Sequence, residues 1–250
     1  MSEPARRQRV RVATEQEIRE HTRAVLVTRG RDGLTLRAIA AELGMTAPAL
    51  YRYYGSREDL LRAVASDICT ELAGELAAAS AAAVGELEPA DDRRVSIAAV
   101  FAACRAFRRW ALAHPAEFVL AFASTDQACP SDCAAGCRCG HAQFARAFLG
   151  VGVRLLAEHG IRLPADEELP PELVAALTPY RRTVLDTVAE AGIAVTDEVV
   201  TVGAVHFFLQ AWARLYGHVA LEVLGQFRFA LDDAEPLFES MLADLAGHLS

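Results

Sequence analysis

Apolar positions recur every three or four residues through most of the chain and nowhere alternate with the period of two expected of a half-buried strand. Residues 1–13 break the pattern: Arg6, Arg7, Arg9 and Arg11 come with no apolar face, which predicts a basic flexible arm. Thr14 and Glu17 have the spacing of a capping box, Ile18, Val25 and Leu26 share a helical face, and Gly30 closes a helix over 14–29. A second helix, over 35–43, is capped by Thr35, carries Leu36, Ile39, Ala40 and Leu43, and is stopped by Gly44. Thr46 is placed to cap a third, over 46–54, in which Pro48 falls in the first turn and forfeits no helical hydrogen bond. Ser56 with Glu58 and Asp59 opens a long helix from 57 to the 85–89 region. Further helices are expected over 91–113, 115–124, 141–159, 171–191, 197–225 and 233–249, with loops over 125–140 and 160–170.

Composition agrees with an all-α chain. Of 250 residues 49 are Ala, the strongest helix former, and only 7% are aromatic. The length suits one large domain or two modest ones. No uncharged apolar run reaches the ~18 residues of a membrane span, and the N-terminus lacks the apolar core of a signal peptide, so a cytoplasmic protein without a membrane partner is expected. An enzyme is not expected. His114, His141, His159, His206 and His218 stand in no nucleophile motif, there is no HExxH, and no Gly-rich phosphate loop follows a strand. Nothing calls for a cofactor.

Charge divides the chain. Residues 1–62 hold 12 Arg against 8 acids, whereas 63–250 hold 13 Arg against 25 acids, as expected of a part that faces nucleic acid joined to one that does not. The short second and third helices, with their Gly44-Met45 turn, have the lengths of a helix-turn-helix, whose second helix enters the DNA major groove. On that helix Thr46, Ala47, Pro48 and Ala49 are small enough to approach base edges closely. Tyr51, Arg52 and Tyr53 reach bases or phosphates, while Leu50 and Tyr54 point inward.

The run from Leu34 to Leu61, LTLRAIAAELGMTAPALYRYYGSREDLL, resembles the N-terminal signature of the tetracycline-repressor (TetR/AcrR) family. The resemblance implies an all-helical homodimer, with a three-helix DNA-binding domain joined by a long helix to a helical bundle for ligand binding and dimerisation. Here these would be residues 14–60 and 61–250, after an arm at 1–13. It further implies a repressor released from a double-stranded operator by a small-molecule effector, with Thr35, Arg37, Ala47, Pro48, Ala49, Tyr51, Arg52, Tyr53 and Arg57 facing DNA. Arg57 stands where the family usually has Lys, which keeps a phosphate contact, and Tyr54 where Phe or Val is commoner, which leaves a hydroxyl to be satisfied. The segments 107–118 and 211–222 resemble, more loosely, the regulators whose ligand domain is named for a Trp-His-Gly motif, with Tyr216 replacing the usual His.

All 11 Phe and both Trp follow residue 100, more aromatic surface than a small bundle needs. An apolar or aromatic effector held between helices is therefore expected, with Phe107, Trp110, Phe122, Phe148 and Phe207 lining its pocket and His206 and Gln210 as polar contacts. The helices over 197–225 and 233–249 each carry apolar groups, Val202, Val205, Leu209, Ala213, Tyr216, Ala220 and Leu224 on one and Leu237, Met241, Leu245 and Leu249 on the other. These suit one buried face and one dyad face. One alternative stays open: Cys129, Cys133, Cys137 and Cys139, with His141 close by, crowd one loop and suit metal or redox sensing. Cys69 and Cys104 read as small core residues.

Overall fold

The computed structural model describes residues 3–31, 33–85, 92–123, 140–159, 163–190, 192–193, 195–196 and 198–249, and these are helical with no strand. The helices are α1 (Glu3–Arg29), α2 (Leu36–Glu42), α3 (Ala47–Tyr51), α4 (Arg57–Gly85), α5 (Asp92–Ala113), α6 (Pro115–Phe122), α7 (Gly140–His159), α8 (Pro171–Glu190), α9 (Val202–Val223) and α10 (Glu235–Leu249). The expected all-α class holds. Cys129, Cys133, Cys137 and Cys139 lie outside the described residues, as does the side chain of His141.

Three boundaries differ from expectation. Helix α1 starts at Glu3, so the stretch expected as an arm is helical from there. Its lack of an apolar face concealed it, although Ala, Arg and Gln are all good helix formers. Thr14 consequently sits inside the helix and donates its hydroxyl to the Val10 carbonyl at 3.0 Å instead of capping. Helix α3 is shorter than 46–54, and Thr46 makes no side-chain capping bond. Helix α9 starts at Val202 because Thr201 caps it, its Oγ1 accepting from the Ala204 amide at 3.0 Å.

The chain packs as two units. The first comprises α1, α2, α3, α4 as far as Cys69, and α6. Its core is made of Ile18, Leu34, Ile39, Leu50, Leu60, Leu61, Ile68 and Phe118, each at most 2% exposed and each worth about 1.5–3 kcal/mol on burial. Helix α6 packs on α1, where Arg23 donates to the buried Glu117 carboxylate. Nothing local could have revealed a pairing across 94 residues.

The second unit contains α4 from Thr70, α5 and α7 to α10. Helix α5 lies against α7, α9 and α10, and α8 against α7 and α9. Val153, Val184, Val188, Val200 and Val205 form one core cluster. The start of α9 passes so close to the 163–165 segment that a Cβ on Gly203 would lie 1.8 Å from the Pro164 carbonyl oxygen, which leaves room only for glycine. Its amide donates to Asp166 Oδ1 at 2.9 Å. Arg108 makes a two-pronged pair with Glu222, Nε to Oε2 at 2.8 Å and Nη2 to Oε1 at 2.6 Å, beneath the Phe238 ring. His218 lies 3.8 Å from Glu222 between the rings of Phe227 and Phe238, and burial holds its imidazole below the ordinary histidine range. Cys69 and Cys104 are buried as expected, and burial pushes the Cys104 thiol up to about 12, leaving it inert.

Among the described residues α4 alone has the length and apolar composition of a membrane span. Much of that apolarity is alanine, and its buried bulky residues, Leu60, Leu61, Val64, Ile68, Leu72 and Leu76, recur at helical spacing on one face.

Candidate nucleic-acid interface

The turn between α2 and α3 follows directly from its residues. Leu43 ends α2, Gly44 takes φ +65°, and two amide bonds close the turn: Met45 to the Ala40 carbonyl at 2.8 Å and Gly44 to that of Ala41 at 3.2 Å. The other end of α2 is set by Thr35, whose Oγ1 accepts from the Ala38 amide at 3.1 Å. With both ends fixed, Leu36, Ile39 and Ala40 turn into the core, and Thr35 and Arg37 remain exposed.

Helix α3 hangs on Leu50, which is fully buried. That one anchor sets which way the remaining side chains point. Thr46, Pro48, Tyr51 and Arg52 are exposed, Tyr51 at 50%, while Ala47, Ala49 and Tyr53 are half-buried. Tyr54 points inward as expected, and its hydroxyl is satisfied, accepting from Arg19 Nη1 at 3.2 Å and donating to the Glu15 carbonyl at 3.4 Å. Burial raises the Tyr54 hydroxyl above its ordinary pKa against the opposing pull of Arg19. Arg19 also donates to Asp67, so α1 is held to both the end of α3 and α4.

A second set of charged groups fastens α1 to α2. Glu42 accepts from Arg29 Nη1 at 2.5 Å and lies 2.9 Å from His21 Nε2. Arg29 and then His21 hold its carboxyl below the usual range. Arg57, expected at a phosphate, makes two bonds within the protein. Its Nε donates to the Leu34 carbonyl and its Nη2 to that of Arg31, both at 2.6 Å, fastening the α1–α2 connection to the start of α4. The Arg19, Arg23 and Arg29 attachments were not singled out in the sequence, because each joins helices that only the fold brings together.

The expected ligand-lining residues fall in four places. Phe107 and Phe148 belong to a cluster with Phe144 and Trp212, ring centroids 5.1–5.9 Å apart, and Trp212 stacks on Tyr216. Trp110 is buried on α5. His206, Phe207 and Gln210 lie on α9, the first two half-buried and the last exposed, and the buried His206 Nδ1 has no hydrogen-bond partner. Phe122 lies in the first unit on α6, its ring 5.5 Å from that of Phe118.

Comparison with known proteins gives a consistent result. Residues 18–64 match the family described as bacterial regulatory proteins, tetR family, and residues 100–245 match the tetracyclin repressor-like C-terminal domain. The chain is 33% identical over 224 residues to the HTH-type transcriptional regulator Rv1816 of Mycobacterium tuberculosis (strain ATCC 25618 / H37Rv), covering 89% of this chain and 86% of the relative. The HTH-type transcriptional regulator Mb1846 of Mycobacterium bovis matches with the same identity and coverage. Among solved structures, the regulatory protein SCO4313 superposes with a TM-score of 0.64 at 28% identity, covering 96% of this chain and 98% of that one.

Proposed function

The chain belongs to the tetR family of helix-turn-helix transcriptional regulators, and on that premise we propose that it represses transcription as a homodimer bound to a palindromic operator. In this reading it acts in the cytoplasm and leaves the DNA when a small apolar or aromatic effector binds its second unit. The DNA half rests on the face α3 presents once Leu50 is buried: Thr46, Pro48, Tyr51 and Arg52 all point outward, beside Thr35 and Arg37 of α2. Placed in a major groove, this face brings Ala47 and Ala49 near thymine methyls, Thr46 and Tyr51 to base edges, and Arg37 and Arg52 to bases or the rim. Selection from a pool of random duplexes by the full-length protein should enrich a palindrome. Tyr51→Ala should lower the preference for that duplex over random DNA by about tenfold, the worth of one good base contact. Failure of the wild-type protein to enrich any sequence would refute the reading.

Dimerisation in this reading uses the outer faces of α9 and α10. Val202 and Val205 are buried within the protomer, whereas Ala213, Leu221, Leu224 and Leu237 are exposed. Alongside them a groove of about 480 Å³ is lined by Arg214, Met241, Ala243, Asp244 and Gly247. An isologous contact between two such faces gives the dimer the two-fold symmetry of a palindrome.

The effector half rests on His206, whose buried Nδ1 is an unmade hydrogen bond on a helix that also carries Phe207, Phe208 and Trp212. A ligand with an apolar body and one polar group satisfies such a place. It releases DNA only by preferring a conformation whose recognition helices no longer fit both half-sites. Both tryptophans, Trp110 and Trp212, lie in the second unit, so binding is expected to change intrinsic fluorescence. In a panel of apolar aromatic compounds, those that change it should also lower operator affinity. Phe207→Ala should blunt that response and leave DNA binding without ligand unchanged. An unaltered response in the variant would place the effector elsewhere.

A further inference from the structure

Helix α1 runs eleven residues beyond the Thr14 start expected from the sequence, a projection of about 16 Å at the helical rise per residue. Residues 5–13 of this projection are exposed throughout and pack into no core. A helix without an apolar face is not maintained by burial; it continues the packed part of α1 through residues that favour helix, and leaves its side chains free for another use. Arg6, Arg7, Val10 and Arg11 fall on one stripe of this segment. Together with Arg52 and Tyr53, at the end of the recognition helix, they line a cleft of about 420 Å³. Among the described residues the lining brings together four guanidinium groups, of which Arg11 is paired with the adjacent Glu15.

The cleft has a defined register. The Arg11 guanidinium lies over the Tyr53 ring, 6.0 Å from its centroid, and its Nε donates to Glu15 Oε1 at 2.9 Å. One residue further on, Tyr54 bonds to Arg19 and to the Glu15 carbonyl, so the two tyrosines hold α1 and the end of α3 side by side. Cations gathered on one rim attract a polyanion, and Glu15 offsets only part of that field, at Arg11. Guanidinium groups favour an anion that accepts paired hydrogen bonds, as a phosphodiester does.

We propose that Arg6, Arg7, Arg11 and Arg52 form a clamp on the DNA phosphate backbone beside each half-site, supplying affinity without sequence information. The inference rests on the DNA-binding reading above and adds to it three arginines, Arg6, Arg7 and Arg11, that precede the part of the chain matching the family, which begins at residue 18. Contacts to phosphate position a protein on the duplex, whereas discrimination stays with groups that reach base edges.

The test is the salt dependence of full-length protein binding to its selected duplex and to random duplex. The triple variant Arg6→Ala/Arg7→Ala/Arg11→Ala keeps the helix, since Ala is the best helix former. Each phosphate contact contributes about 0.9 to the slope of log affinity against log salt, so the triple variant should lose about 2–3 from the wild-type slope. Affinity near physiological salt should fall by about 10–100-fold on both duplexes alike, leaving their ratio unchanged. Lysine at the same three positions should restore most of the slope, and Arg182→Ala, at an exposed position in the second unit, should leave it as in the wild type. An unchanged slope in the triple variant, with helicity and wild-type binding intact, overturns the clamp alone, and so does a loss confined to the selected duplex. Wild-type protein that binds no duplex overturns the functional reading and the clamp with it.

Discussion

Arg108→Ala is expected to lower the unfolding free energy by about 3–5 kcal/mol, the cost of leaving a buried charge without its partner. The Arg108 and Glu222 side chains are only 9% and 12% exposed, and both prongs of their pair are short, at 2.8 and 2.6 Å. Asp233 at 3.9 Å and Glu235 at 3.5 Å add weaker attraction from the surface. Once the guanidinium is gone, the Glu222 carboxylate is left with His218, 3.8 Å away and disposed by burial to the neutral form. In a chain of this size each kcal/mol moves the melting temperature by about 2–4 °C, so a fall of roughly 6–20 °C is expected in calorimetry. The double variant Arg108→Met/Glu222→Leu removes both charges and should recover most of that loss, because the penalty comes from the orphaned ion rather than from the missing attraction. A fall below about 1 kcal/mol in Arg108→Ala would mean that solvent reaches the pair freely, as it does at a surface salt bridge.

Arg57→Ala is expected to lower operator affinity by about 10–100-fold while leaving the salt slope as in the wild type. The two carbonyl bonds of Arg57 are charge-assisted, each worth about 1.5–3 kcal/mol, and they hold the connection from which α2 and then α3 depart. Without them the recognition helix is presented correctly for only part of the time, and apparent affinity falls with that fraction. Arg57→Lys should recover only part of the loss, since an ammonium cannot span both carbonyl oxygens as the guanidinium fork does. Had Arg57 served as a phosphate ligand instead, its removal would lower the slope by about 0.9. The slope therefore separates the two roles.

The contrast between these arginines shows what the sequence could and could not convey. Features carried by contiguous residues were legible. Thr35 caps α2, Gly44 supplies the positive φ of the turn, and Ser56 Oγ accepts from the Asp59 amide at 3.0 Å to start α4. Leu50 and Tyr54 were assignable inward from helical spacing alone.

Long-range polar pairing was not legible. Arg57 occupies a position associated with DNA, and no sequence pattern says that its donors go to the Leu34 and Arg31 carbonyls. Helix α6 follows α5 after only His114, yet it packs on α1, because Glu117 meets Arg23 and Phe118 is fully buried in the first unit. The first eleven residues of α1 were misjudged for the opposite reason. Apolar periodicity reports helices that pack, and this segment does not pack.

In the proposed function the exposed face of α3 reads a two-fold symmetric operator. A footprint by the purified full-length protein on the DNA upstream of its own gene tests this most directly. The expected result is one protected stretch containing two inverted half-sites, their centres about 34–36 Å or a multiple of that apart, occupied by two protomers and lost on competition with the selected palindrome. Protection spread evenly along the fragment, or none at protein concentrations that saturate the selected duplex, would contradict it.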